Sequence, residues 1–369
     1  MEHRQPQRHD TILSLTGIRG AAAMLVLAHH LPIAQSFGIK GTMPVITNGN
    51  YGVELFFLLS GFILTLAHHR DFDRLGIHSI GRFYIARALR VYPLHLVILA
   101  IIAVTIAMLP EYVAWVRTIP GFGDAYSLQG FIRTATLTNR IGLSFSGEWN
   151  GPSWSLSAEM VGYAAFPVIV VFAGKIDNKI NCLIGVVTLL LLYTIVRYHS
   201  DVGVLRMVLT FPAGVLLGRM FLIRGRSSVS TDVIAFLGLA WFLIALSFAR
   251  LAPLSVFGSA ALIYGLALST GRAAAIFKTR AMVYLGRISF SLYLSHHFVF
   301  MLVTWWIWDG GAPTTYPLPS LLAMSGGAIV VAHILYQLVE KPSHGFGRTV
   351  SDLLFSNRAL NVAQARGVR

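Results

Sequence analysis

Charge is scarce in this sequence, and acidic charge is scarcer. Of 369 residues only 12% are charged, with 15 Asp and Glu against 29 Lys and Arg. Soluble domains carry about 25% charged residues, so a soluble globule is excluded from the start. One cysteine, Cys182, rules out an internal disulfide framework and, with no second thiol, speaks against a structural zinc site; its ordinary role is that of a small apolar core residue. There is no HExxH, CxxC, P-loop or GxGxxG motif, no internal repeat and no low-complexity segment. The histidines His29-His30, His68-His69 and His296-His297 come as adjacent pairs, whose members diverge by about 100° on a helix. No pair can chelate one ion from a single face, and no metal is expected. The first apolar run has no small-residue cleavage site before Leu31, so it is expected to stay as an anchor.

What the sequence does have is hydrophobicity, 55% of residues with a mean hydropathy of +0.67, gathered into runs separated by turn-forming or charged breaks. Spans are predicted near 12–31, 52–69, 89–109, 152–173, 180–196, 203–223, 232–249, 253–270, 283–307 and 318–339. The expected fold is therefore an all-α polytopic bundle of about ten transmembrane helices, with both termini on one side. That side receives twenty-one Lys and Arg, the other only Lys40, Arg117, Arg133, Arg140, Arg197, Arg206 and Arg250, while Arg19 lies within a helix. The positive-inside rule makes the terminal side cytoplasmic, in a multi-pass protein of the inner (plasma) membrane. The net charge of +14 then reflects topology and attraction to membrane lipid, and no nucleic-acid partner is expected. Residues 1–345 read as one membrane domain and 346–369 as a basic, poorly ordered cytosolic tail. The longest connection, 110–151, faces outward with Trp115, Tyr126 and Trp149, and serves equally as a plain loop or as an acceptor-binding segment.

Ionisable residues at membrane depth are costly and usually face a protein interior or a wet cavity. The first span carries two. From Arg19 to His30 is eleven steps, roughly 1100° of rotation, which returns both to one face about 16 Å apart along the axis. Glu54 and Glu159 lie within spans, and Glu340 ends the last one. Glu159, in SWSLSAEMVGY, lies at a depth compatible with contact to His30, and a carboxylate beside an imidazole fixes its tautomer and raises its basicity, as a general base requires. Separate interhelical hydrogen bonds for each are the plainer alternative. Ser155, four residues before Glu159, is a conceivable nucleophile, although serines in membrane helices more often bond the backbone or a neighbouring helix. Trp154 is an interface anchor or a pocket wall. Arg82, Arg87 and Arg90, in RFYIARALRVYP, suit phosphate groups, or simply anchor the helix start by their charge. His296 is a weaker candidate, with a buried, satisfied histidine as the ordinary reading.

The ordered blocks LTGIRGAAAMLVLAHH, GVELFFLLSGFIL, RFYIARALRVYPLH, PSWSLSAEMVGY, YLGRISFSLYLSHH and VEKP resemble the acyltransferase-3 family of integral membrane acyltransferases, the type that O-acetylates bacterial cell-surface and secreted glycans. The resemblance runs from near residue 13 to near residue 342. It implies ten membrane helices, an acyl-CoA donor, usually acetyl-CoA, and an acceptor hydroxyl on a glycan, a lipid-linked saccharide or another sugar-bearing molecule. The family's first-helix arginine and histidine match Arg19 and His30, its paired arginines match Arg87 and Arg90, and its glutamate after the WSLS block matches Glu159. Met160 stands where a second acid is common, Glu54 where aspartate is common, and Ser295 where tryptophan often precedes the histidine. The resulting expectation is an O-acyltransferase in which Arg87 and Arg90, with Arg82 beside them, hold the CoA phosphates. His30, oriented by Glu159, acts as base or acyl relay, and Arg19 polarises the thioester carbonyl. A homo-oligomer is compatible with this reading. The rival from another class is a proton-coupled transporter using His30, Glu54 and Glu159 as a relay, and a non-enzymatic scaffold is the third choice.

Overall fold

The computed structural model describes residues 5–31, 42–72, 76–139, 149–198, 203–223, 231–308 and 317–355. Among these the regular structure is entirely helical. Long apolar runs make this the expected outcome in a bilayer, where every backbone N–H and C=O must be satisfied within the segment. The principal helices are α1 (Gln5–His30), α2 (Gly52–His68), α3 (Ile77–Met108), α4 (Pro110–Thr118), α5 (Leu128–Ala135), α6 (Ser153–Lys175), α7 (Asn178–Tyr198), α8 (Gly203–Ile223), α9 (Thr231–Leu246), α10 (Ser255–Leu268), α11 (Arg272–Phe277), α12 (Arg280–Trp308), α13 (Pro317–Leu335) and α14 (Lys341–Phe355). A helix thus occupies each of the ten apolar intervals. Among the described residues seven are long and apolar enough to cross a membrane: α2, α3, α6, α7, α8, α12 and the run from α13 into α14. The apolar α9 and α10 have only 16 and 14 residues.

Three pairings position the interior. α1 packs along α12, α2 along α8, and α8 is also packed by α6. The first of these is close enough to require glycine: a Cβ on Gly286 of α12 would overlap the Thr16 carbonyl of α1, and one on Gly20 would crowd the backbone of Met282 and Gly286. Small residues at such crossings let two backbones approach, which is how membrane helices gain packing energy without a hydrophobic driving force.

Two boundaries differ from expectation. The segment after 345 continues as α14, which lies along α3; Ser351 Oγ donates to the Arg82 carbonyl at 3.5 Å. Residues 356–369 of the expected tail lie outside the described residues. The long connection 110–151 is also more than a loop. It contains α4 and α5 and an aromatic core in which the Tyr112 and Tyr126 hydroxyls share a 3.1 Å hydrogen bond. Burial raises both phenols above their ordinary range and keeps them neutral. Residues 140–148 of this segment lie outside the described residues.

Candidate active site

A cavity of about 300 Å³ opens between α1, α2, α3, α6 and α12. Its walls are mostly apolar, but Arg19 from α1, Arg87 and Arg90 from α3, and Glu159 from α6 all line it. The three-residue spacing of Arg87 and Arg90 places them on one helical face, whereas Arg82 is five residues, about 140°, away from Arg87. The structure accordingly leaves Arg82 exposed and outside the cavity wall. Three guanidinium groups face one carboxylate, so the cavity is formally cationic. Neither Arg19 Nε nor Arg87 Nε has a hydrogen-bond partner among the described residues, although both atoms are buried. Buried cationic donors left unmet are costly, and a chelating anion such as phosphate removes that cost while matching the guanidinium fork.

Glu159 does not reach His30. Its Oε1 accepts from Ser60 Oγ at 2.6 Å and from Tyr163 OH at 2.7 Å. Its electrostatic partners include Arg19 and Arg87, which makes it the counter-charge of the arginine cavity. Ser155 also lines this cavity, but its hydroxyl donates to Tyr293 OH at 2.8 Å and to the Pro152 carbonyl at 3.2 Å, with no base beside it. Glu340, at the end of the last predicted span, does not line the cavity. It is buried at the end of a π-helical turn (Tyr336–Glu340), accepts from Ser291 Oγ at 2.6 Å, and feels the charges of Arg90 and Arg19.

His30 sits eleven residues further along α1, among other histidines. Its ring centroid is 4.9 Å from His29, 5.1 Å from His296 and 6.2 Å from His297. Nδ1 lies 2.9 Å from the Val26 carbonyl, which can only accept, so Nδ1 carries the proton and Nε2 holds a lone pair. His296 is buried and repeats the pattern, with Nδ1 donating to the carbonyls of Tyr293 (2.8 Å) and Leu292 (3.1 Å). Tyr293 connects the two regions: it lines the cavity, and its ring centroid is 5.9 Å from that of His296. The four histidines gather because α1 packs on α12, and among the described residues no group of three or more His, Cys, Asp or Glu is arranged to hold a metal ion.

Glu54 and Trp154 belong to a third cluster. Arg206 of α8, which charge counting had assigned to the outer surface, is largely buried and donates Nε to Glu54 Oε1 at 2.5 Å. Its guanidinium also lies 5.3 Å from the Trp154 ring and 5.6 Å from the Tyr51 ring. Neither Glu54 nor Trp154 lines the cavity.

Comparison with known sequences decides the family, since residues 12–337 match the acyltransferase-3 domain model. The chain belongs to the acyltransferase-3 family. It is similar to the acyltransferase MdmB of Streptomyces mycarofaciens, 35% identical over 174 residues that cover 44% of this chain and 40% of MdmB. A Staphylococcus aureus (strain COL) protein with the provisional name O-acetyltransferase SACOL0978 is 24% identical over 364 residues, 90% of this chain and 57% of that protein. Protein 2 in the picA locus of Rhizobium radiobacter is 32% identical over 176 residues, 45% of this chain and 84% of that protein. The chain thus spans about half the length of the first relatives it matches. No solved structure matches. Its family and its several helices long and apolar enough to cross a membrane make it a multi-pass membrane protein.

Proposed function

We propose that this acyltransferase moves an acyl group, acetyl in the first instance, from acyl-CoA to a hydroxyl of a cell-envelope or secreted glycan or glycoconjugate, from a ten-span position in the inner membrane. The observation that supports this reading is the convergence of Arg19, Arg87 and Arg90 on one cavity with His30 beyond it on the same helix. Arg87 and Arg90 open toward the basic, cytoplasmic end of α3 and suit the phosphates of CoA. Arg19 joins them, so its part is to grip the donor at the mouth of the bundle. A cavity of about 300 Å³ is at the lower end for small-molecule sites and suits the narrow pantetheine arm, with the nucleotide left outside.

His30 stands about 16 Å beyond Arg19 along α1, a distance an extended pantetheine arm can span. With Nδ1 held by Val26, its Nε2 lone pair accepts the hydroxyl proton as the oxygen bonds to the thioester carbonyl carbon. The C–S bond breaks, and the imidazolium returns its proton to the departing thiolate. The outer aromatic segment around Tyr112, Tyr126 and Trp149 is then the natural place for acceptor selection.

The test is transfer from radiolabelled acetyl-CoA by membranes holding equal amounts of wild type or His30→Ala. General-base catalysis supplies about 10²–10⁴-fold, so the variant should lose label transfer by at least about 100-fold at unchanged abundance. Equal transfer by both proteins would overturn the role of His30. Absence of acetyl transfer by the wild type, with proton-dependent solute uptake in its place, would return the transporter reading.

A further inference from the structure

The base reading of His30 leaves one requirement unmet. When the ring takes a second proton it becomes a cation at membrane depth, and Glu159 is engaged elsewhere. The titratable groups facing His30 among the described residues are His29 on its own helix and His296 and His297 on α12. None is a carboxylate.

His296 has a special geometry within this group. Its Nδ1 proton is fixed on two carbonyls of its own helix, which forces Nε2 to be the unprotonated nitrogen. That Nε2 is buried and has no partner among the described residues. Across the close contact of α1 with α12, the ring of His30 lies 5.1 Å from that of His296, centroid to centroid. A buried acceptor of this kind is left wanting a proton or a positive charge. We infer that His296 is a positioning residue for His30, its Nε2 lone pair stabilising the imidazolium that forms as the acceptor hydroxyl loses its proton. This rests on the acyltransferase reading above and extends it: the Val26 carbonyl orients the His30 ring, and a neutral imidazole fixed in one tautomer supplies the charge stabilisation that a carboxylate usually gives a catalytic histidine. The step itself is unchanged in atoms, since His296 neither gains nor loses a proton overall.

Two amides separate this role from a structural one. In His296→Gln the side-chain oxygen can occupy the place of Nε2 and keep an acceptor toward His30. In His296→Asn the amide N–H can occupy the place of Nδ1 and keep only the bonds to Leu292 and Tyr293. With acetyl-CoA as the probe, His296→Gln should retain transfer within about threefold, whereas His296→Asn should lose about tenfold or more in kcat at little change in KM. Nitrogen-15 histidine spectra of the purified protein give a readout that needs no turnover: the midpoint at which His30 gains its second proton should move to lower pH by about one unit in His296→Asn and stay in place in His296→Gln. The pairing is overturned if Asn is the tolerated variant, if both variants are active, or if His30 titrates alike in wild type and His296→Asn. Absence of acetyl transfer by the wild type would remove the proposed function alone, and the spectra would still decide the pairing.

Discussion

At the scale of single residues, the buried charges divide into two groups with opposite needs. Glu54 and Arg206 neutralise each other through Oε1 and Nε, and removing one partner leaves an uncompensated charge, at a cost of about 3–5 kcal/mol. Arg206→Ala is therefore expected to lower the thermal midpoint of the detergent-solubilised protein, and Glu54→Leu with Arg206→Met to recover much of the loss; a differential scanning fluorimetry series checks both. The cavity arginines behave differently, because the anion they suit comes from outside the chain. Arg87→Lys keeps the charge and loses the planar fork, so KM for acetyl-CoA should rise about tenfold with kcat little changed and stability intact. Sequence alone picked out Arg19, His30, Arg87, Arg90 and Glu159, since an ionisable residue in an apolar run is conspicuous. It could not pair them. Arg206 lies four residues into its helix and reads as a flanking charge, and its partner Glu54 is 152 positions away. Glu159 and His30 share a plausible depth, but depth does not say which way a helix faces, and α6 turns Glu159 toward Ser60 and the arginines.

At the scale of elements, the helices themselves were legible because hydrophobic length is nearly sufficient to specify a membrane helix. Their partners were not, since lipid-facing and protein-facing sides are both apolar and leave no amphipathic signal. The α1 and α12 pairing illustrates this. Both pairs His29-His30 and His296-His297 are visible in the sequence, yet only the close approach through Gly20 and Gly286 brings them together. Gly286→Leu places a side chain where the Thr16 carbonyl already is, and neither backbone can yield without separating the two helices. Loss of the monodisperse peak in fluorescence-detected size exclusion is the expected result, together with loss of transfer. A substitution to leucine at Gly326, where a Cβ would meet nothing within 4 Å, should be tolerated and serves as the control.

At the scale of the whole molecule, the sequence expectation of ten crossings and two cytoplasmic termini adds α1, α9 and α10 to the seven longer apolar helices, and of the three α9 and α10 are the short ones. With 16 residues α9 is about 24 Å long, short of a hydrocarbon core of about 30 Å, and α10 is shorter still. The two helices either tilt little and thin the bilayer around them, or enter and return on the same side. Parity of the whole chain cannot separate these arrangements, because a re-entrant pair removes two crossings and leaves every other segment where it was. Only the turn between them differs. The exposed residues Asp124, Arg250 and Thr279 therefore make a decisive set, each changed singly to cysteine in a Cys182→Ser background and probed with a membrane-impermeant maleimide on spheroplasts. Asp124→Cys should label from outside and Thr279→Cys only after the membrane is opened, which fixes the orientation in either arrangement. With ten crossings Arg250→Cys labels from outside as Asp124→Cys does. Protection of that site until the membrane is opened would instead make α9 and α10 a re-entrant hairpin, lower the count to eight, and keep the arginine cavity facing the cytoplasm with His30 beyond it toward the opposite face.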